Sequence, residues 1–153
     1  MQRITLSIIL SLCAVHGAEL GAPLRENVQS VIAAPYLQLH QEFLRIHHEL
    51  VLCLDQVHDK QTADKMAVSI TELTTRLQHL HRQEQKLPAP PASVQQQLKK
   101  HHHRHDYKGL CEKGVGKAIE LTYEQPEPCY GSASLQIALD SLLREFCNGK
   151  GTP

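Results

Sequence analysis

The chain has 153 residues, with 16 Lys plus Arg, 16 Asp plus Glu and 11 His, so its formal charge is zero when imidazoles are neutral. At 41% hydrophobic residues it can build a core, and its charge balance argues against a role driven by net basicity, such as general binding to nucleic acid or acidic membranes. With 2 Phe, 4 Tyr and no Trp, aromatic stacking platforms are also disfavoured, and histidine is the compositional outlier.

Residues 1–18, MQRITLSIILSLCAVHGA, have the layout of an export signal. Arg3 supplies the positive start, Ile4 to Val15 the apolar stretch, and Gly17 and Ala18 the small residues for cleavage. Such a stretch is too short for a bilayer core, which takes about 20 residues. No later segment reaches that length, so residues 19–153 are expected as a single exported domain, periplasmic or secreted, without a transmembrane segment. Losing Arg3 with the signal leaves 15 basic against 16 acidic residues, a charge of −1.

Residues 19–34 predict a short amphipathic helix with Leu24, Val28, Val31 and Ile32 on one face, and Pro35 is expected to break or kink it. Tyr36, Leu39, Phe43, Ile46, Leu50, Cys53 and Val57 alternate three and four apart, which only a helix places on one face. A polar turn at 59–62 follows, with Thr62 as the expected cap of a second helix over 62–86. That helix carries Ala63, Met66, Ile70, Leu73, Leu77 and Leu80. Two long helices joined so tightly form an antiparallel hairpin.

Pro88-Ala-Pro-Pro91 predicts a stiff linker over 88–92, and Ser93 a capping box for a third helix. Gly109, Gly114 and Gly116 weaken that helix and leave its end open. A last helix carries Leu135, Ala138, Leu139, Leu142 and Phe146. It is capped by Ser134 or Ser132, ends at Asn148-Gly149, and leaves a tail over 150–153. These elements predict an all-α, up-down antiparallel bundle of three long helices with short flanking ones.

Two stretches, Asp59-Lys60-x-Thr62-Ala63-Asp64 and Tyr130-Gly131-Ser132-x-x-Leu135-x-x-Ala138-Leu139, resemble a group of small, uncharacterised exported bacterial helical proteins. The resemblance implies a helical exported fold. It brings no activity and no functional residue.

The sharpest chemical feature is the tract Lys99-Lys-His-His-His-Arg-His-Asp-Tyr-Lys108. On a helix His101 and His105 lie one turn apart, a spacing with which two imidazoles can grip Zn²⁺, Cu²⁺ or Ni²⁺. His102 with Asp106 makes an adjacent pair, and further ligands would come from His47, His48, His79 or His81. The plainer alternatives are a solvated basic face and a contact with an anionic polymer. His40, His47, His58, His79 and His81 are expected at boundaries or in solvent. Gly114-Val-Gly116-Lys117 fails the phosphate-loop pattern, because position 111 is Cys and 118 is Ala.

Cys13 leaves with the signal, and an even set remains: Cys53, Cys111, Cys129 and Cys147. In an exported chain that predicts two disulfides. Counting levels along antiparallel helices favours Cys111–Cys147 with Cys53–Cys129, with Cys53 also able to remain a buried thiol. The expected function is non-enzymatic: an interaction or structural module for an unknown protein or envelope partner, with divalent-metal binding through His101, His102 and His105 as the alternative.

Overall fold

A computed structural model of the chain describes residues 22–104 and 106–148, with side chains placed for 31–102 and 106–147. The expected signal 1–18, the tail 150–153, the Asn148-Gly149 cap and His105 therefore fall outside what is described. The architecture is all-α, and no strand occurs among the described residues. The packing below is that of the compact unit that begins at Ala33.

Helix α1 spans Ala22–Asp55 and α2 spans Lys60–Glu84. The expected stop at Pro35 is overridden, since α1 runs through it. Proline leaves the carbonyl four residues earlier without an amide donor, and here both Val31 and Pro35 are exposed, so water can serve that carbonyl. The turn after α1 tightens with Gln56 and Val57 amides donating to the Cys53 and Leu54 carbonyls. Asp59, not Thr62, caps α2. Its Oδ1 accepts from the Thr62 amide at 2.7 Å, and Thr62 Oγ1 accepts from the Asp59 amide at 3.1 Å.

Contacts between α1 and α2 spread with sequence separation, as an antiparallel hairpin requires. Arg76 reaches Glu49 at 2.6 Å and Glu42 at 3.0 Å, and the Tyr36 hydroxyl donates to the Pro88 carbonyl at 2.9 Å. The stripes read from sequence meet in one buried cluster: Ile46, Leu50 and Leu54 of α1 with Ile70 and Leu77 of α2, each no more than 2% exposed.

The third long helix expected from sequence is two shorter ones. Helix α3 spans Ala92–Arg104 and α4 spans Tyr107–Ile119. Ser93 lies inside α3, whose first turn instead uses the Pro91 carbonyl as acceptor for the Val94 and Gln95 amides. Between α3 and α4, Asp106 adopts a left-handed conformation (φ 42°, ψ 47°), which aspartate tolerates better than most residues, and its carboxylate accepts from the Gly109 amide. Gly109, Gly114 and Gly116 do not end α4. Buried Gly114 lies against Leu50 and Val51, where α4 passes α1.

A π-helical turn at Glu120–Glu124 and a tight turn at Pro128–Gly131 lead to helix α5, Ala133–Asn148. In that turn Cys129, Tyr130 and Gly131 all have positive φ (52°, 54° and 73°). Ser132 caps α5 through Oγ, which accepts from the Leu135 amide at 3.1 Å. Helix α5 runs parallel to α2. Ser132 and Ser134 meet Asp64 near its start, and Glu145 meets His81 near its end.

Candidate functional site

Among the described residues, a cluster of titratable groups lies where α3 and α4 cross α1. Along α1, His40 and His47 are seven residues apart, nearly two helical turns, so they share a face. They are 8% and 3% exposed, which corrects the expectation of boundary or solvated side chains. Partners from other helices cover them.

His40 is sandwiched by the tract. The His102 ring stacks on it at 4.0 Å between centroids and 20° between planes, with His102 Nε2 3.1 Å from His40 Nδ1. His101 approaches His40 edge-on at 5.1 Å and 81°. Tyr107 extends the column, stacking on His102 at 5.1 Å and touching His40 and His47 at 5.2 and 5.7 Å. His47 contacts Phe146 of α5 at 5.5 Å. Phe43 contacts His81, whose Nδ1 meets Glu145 at 2.6 Å.

Burial sets the proton balance. His47 is held below the ordinary imidazole range chiefly by desolvation, which outweighs the stabilising bond to the Phe43 carbonyl, and the nearby His81 adds to the lowering. A neutral His47 donating from Nδ1 to that carbonyl, at 2.7 Å, satisfies both. Burial likewise pushes the Tyr107 phenol well up, helped by Cys111 and Glu84, so Tyr107 stays a neutral donor. Cys111 is also raised by burial, against an opposing hydrogen bond from Tyr107.

The candidate metal ligands are placed differently from the spacing argument. His101 and His102 both turn toward His40 of α1, and His105 falls outside the described residues. Near-parallel stacked rings direct their in-plane lone pairs side by side, whereas a shared ion needs them to converge. Among the described residues no group of three or more His, Cys, Asp or Glu side chains is arranged to hold one metal ion. His48 and His79 are exposed.

The expected disulfides are absent among the described residues: Cys53, Cys111, Cys129 and Cys147 are all free thiols. Their surroundings give the reason. Cys129 is fully buried with Thr122 as hydrogen-bond partner, Cys111 pairs with Tyr107, Cys53 packs against the core, and Cys147 faces solvent.

No family model, curated protein or solved structure matches the chain.

Spacing alone did not reveal His40 or Tyr107 as parts of this seam. A signal was present: Val94, Leu98, His101 and His102 continue one stripe at helical spacing, so the imidazoles stand where a docking face needs side chains that can be buried.

Proposed function

We propose that this chain is an exported helical interaction module that works through its surface and not through catalysis. Its helices are read as an up-down bundle in which the α3–α4 column takes the place of the third long helix. The observation that carries the proposal is the face shared by α2 and α5. Asp64 of α2 touches Ser134 of α5, and one turn further along these parallel helices stand Val68 and Ile137, 64% and 70% exposed. Ile137 itself lines a groove together with Gln78, Asp140, Ser141, Arg144 and Glu145. Exposed aliphatics rimmed by polar and charged groups are the composition of a protein-binding face.

The test compares wild type with the Val68→Asp, Ile137→Asp double variant, each immobilised and exposed to envelope extract. The expected result is a partner retained by wild type and lost by a variant of unchanged helicity. Capture of the same partner by both would overturn the assignment of this face. Divalent-metal binding through His101, His102 and His105 is the competing proposal. Calorimetric titration of tag-free protein with Zn²⁺ or Cu²⁺ separates the two, since sub-micromolar, saturable binding at defined stoichiometry supports only the metal reading.

A further inference from the structure

We infer that the chain associates with copies of itself head to tail: the lysine-flanked segment 88–92 of one copy seats on Ile119 and Tyr123 of the next, whose rim is acidic. These surfaces lie apart from the face shared by α2 and α5, so the inference stands whether or not that face binds a partner.

The formal charge of zero conceals a segregation along the chain. From Gln85 to His105, Lys86, Lys99, Lys100 and Arg104 stand without one Asp or Glu. From Ala118 to Leu143, Glu120, Glu124, Glu127 and Asp140 stand without one Lys or Arg. These charges are permanent at neutral pH and owe nothing to imidazole protonation.

The fold sets the two segments at opposite ends of the unit that begins at Ala33. The Tyr36 hydroxyl holds the Pro88 carbonyl at the end of the α1–α2 hairpin remote from its turn. Lys117 pairs with Asp55, and Ser132 with Asp64, at the end where α1 turns into α2. From Tyr36 to Asp55 helix α1 rises about 28 Å.

Each end has an apolar centre within its charged rim. At the acidic end the buried Leu121 and Thr122 anchor the π-helical turn, with Thr122 Oγ1 donating to the Ala118 carbonyl at 2.7 Å. Ile119 and Tyr123, nearly one turn apart, are left outside at 39% and 68% exposed. Glu120, Glu124 and Glu127 around them are exposed. At the basic end Pro88, Ala89, Pro91 and Ala92 are exposed. Exposed Lys86 precedes them, and exposed Lys99 and Lys100 follow on α3. Among the described residues none of these three lysines and none of these three glutamates belongs to an ion pair.

Prolines lose little freedom on docking and pack well on aromatic rings. Exposed ion pairs alone contribute little, so Tyr123 against the prolines forms the centre of the contact while the charged rims set its orientation. A basic end attracts an acidic end and repels another basic end. The contact therefore joins unlike surfaces and leaves one free end of each kind, so it propagates and does not close as a twofold dimer.

The test is the mass of the tag-free full chain in solution as its concentration rises, with EDTA present so that no metal bridges copies. At about 20 mM salt the mean mass is expected to climb about twofold or more, and at about 500 mM salt to fall back toward the monomer. Tyr123→Lys blocks the acidic end, and the Lys99→Glu, Lys100→Glu double variant blocks the basic end, so each alone should be monomeric. Mixed in equal amounts they should form a pair of one copy of each and stop there, because each supplies the end the other lacks. Should either variant lose helicity, Tyr123→Ala and the Lys99→Gln, Lys100→Gln variant take their places in the same mixing experiment. A monomer at every concentration overturns the inference, and so does assembly that survives high salt or that either variant retains. Wild-type assembly without pairing in the mixture overturns the head-to-tail arrangement.

Discussion

Asp64 of α2 and Ser132 at the head of α5 are 68 residues apart in sequence, yet their Oδ1 and Oγ atoms meet at 2.5 Å. Ser132 donates to that carboxylate while its oxygen accepts from the Leu135 amide, so one hydroxyl both caps α5 and ties it to α2. Ser134 adds a bond to Asp64 at 3.0 Å, and Lys60 holds the second carboxylate oxygen at 2.7 Å. Fully buried Ala63 and Leu135 neighbour these polar partners in sequence. The stretches 59–64 and 130–139, far apart in sequence, are thus parts of a single joint.

That joint makes an acid-stability prediction. Lys60 most of all, then Ser132 and Ser134, hold the Asp64 carboxyl down to about 2. The folded state therefore binds fewer protons than the unfolded state over that interval. The contribution of Asp64 is complete above about pH 4 and is lost as pH falls through the folded value. Asp64→Asn should lower the thermal midpoint at neutral pH and give a shallower fall in stability between about pH 4 and pH 2. Parallel profiles for variant and wild type would show that the joint contributes nothing.

The α1–α2 seam should respond to truncation. Leu50 and Ile70 are 1% and 0% exposed, within one cluster of Leu, Ile and Met side chains. Replacing either by Ala removes buried methyl groups and leaves a cavity, so Leu50→Ala and Ile70→Ala should each cost about 2–5 kcal/mol in urea unfolding. Losses below about 1 kcal/mol at both sites would be inconsistent with this packing.

Hydrophobic periodicity made the helices and most of their buried faces legible, because Leu, Ile and Phe three and four apart have only one economical arrangement. The division of the third helix was hidden, since a left-handed Asp106 is permitted by its side chain but not required by it. His40 and His47 looked like boundary residues because their cover comes from α3, α4 and α5, on which periodicity within α1 is silent. Levels along the helices do bring α4 beside the part of α1 that precedes Cys53, since Gly114 lies beside Leu50 and Val51. Level along an axis does not fix direction around it, and the thiols do not pair.

Glycine substitutions should separate two backbone environments. At Gly114 a Cβ would sit 3.5 Å from Leu50 Cδ2 and 3.6 Å from Val51 Cγ2, ordinary contact distances inside a helix. Gly114→Ala should therefore stabilise by about 0.5–1 kcal/mol through helix propensity. At Gly131, with φ +73°, a side chain is strained and its Cβ would crowd the Glu127 carboxylate. Gly131→Ala should destabilise by about 1 kcal/mol or more. Equal effects at both positions in thermal unfolding would contradict this division.

The last prediction concerns the order in which the thiols react. The thiolate is the reactive species, so rate follows exposure and the ease of losing the proton. Cys147 is exposed. Cys53 and Cys111 are half-buried, and burial raises both thiols, so each rise of one pKa unit removes about tenfold of the thiolate at neutral pH. Cys129 is 0% exposed within the positive-φ turn before α5, and burial raises it too. A reagent can reach Cys129 only when that turn opens, and opening also releases the Ser132 cap. Maleimide labelling of the native protein, followed by peptide mass spectrometry, should modify Cys147 first, Cys53 and Cys111 more slowly, and Cys129 last. In denaturant without reductant all four should label. Cross-linked Cys111–Cys147 or Cys53–Cys129 peptides under those conditions would restore the disulfide pairing that helix levels suggest. Early labelling of Cys129 in the native protein would show that the turn preceding α5 opens independently of the core.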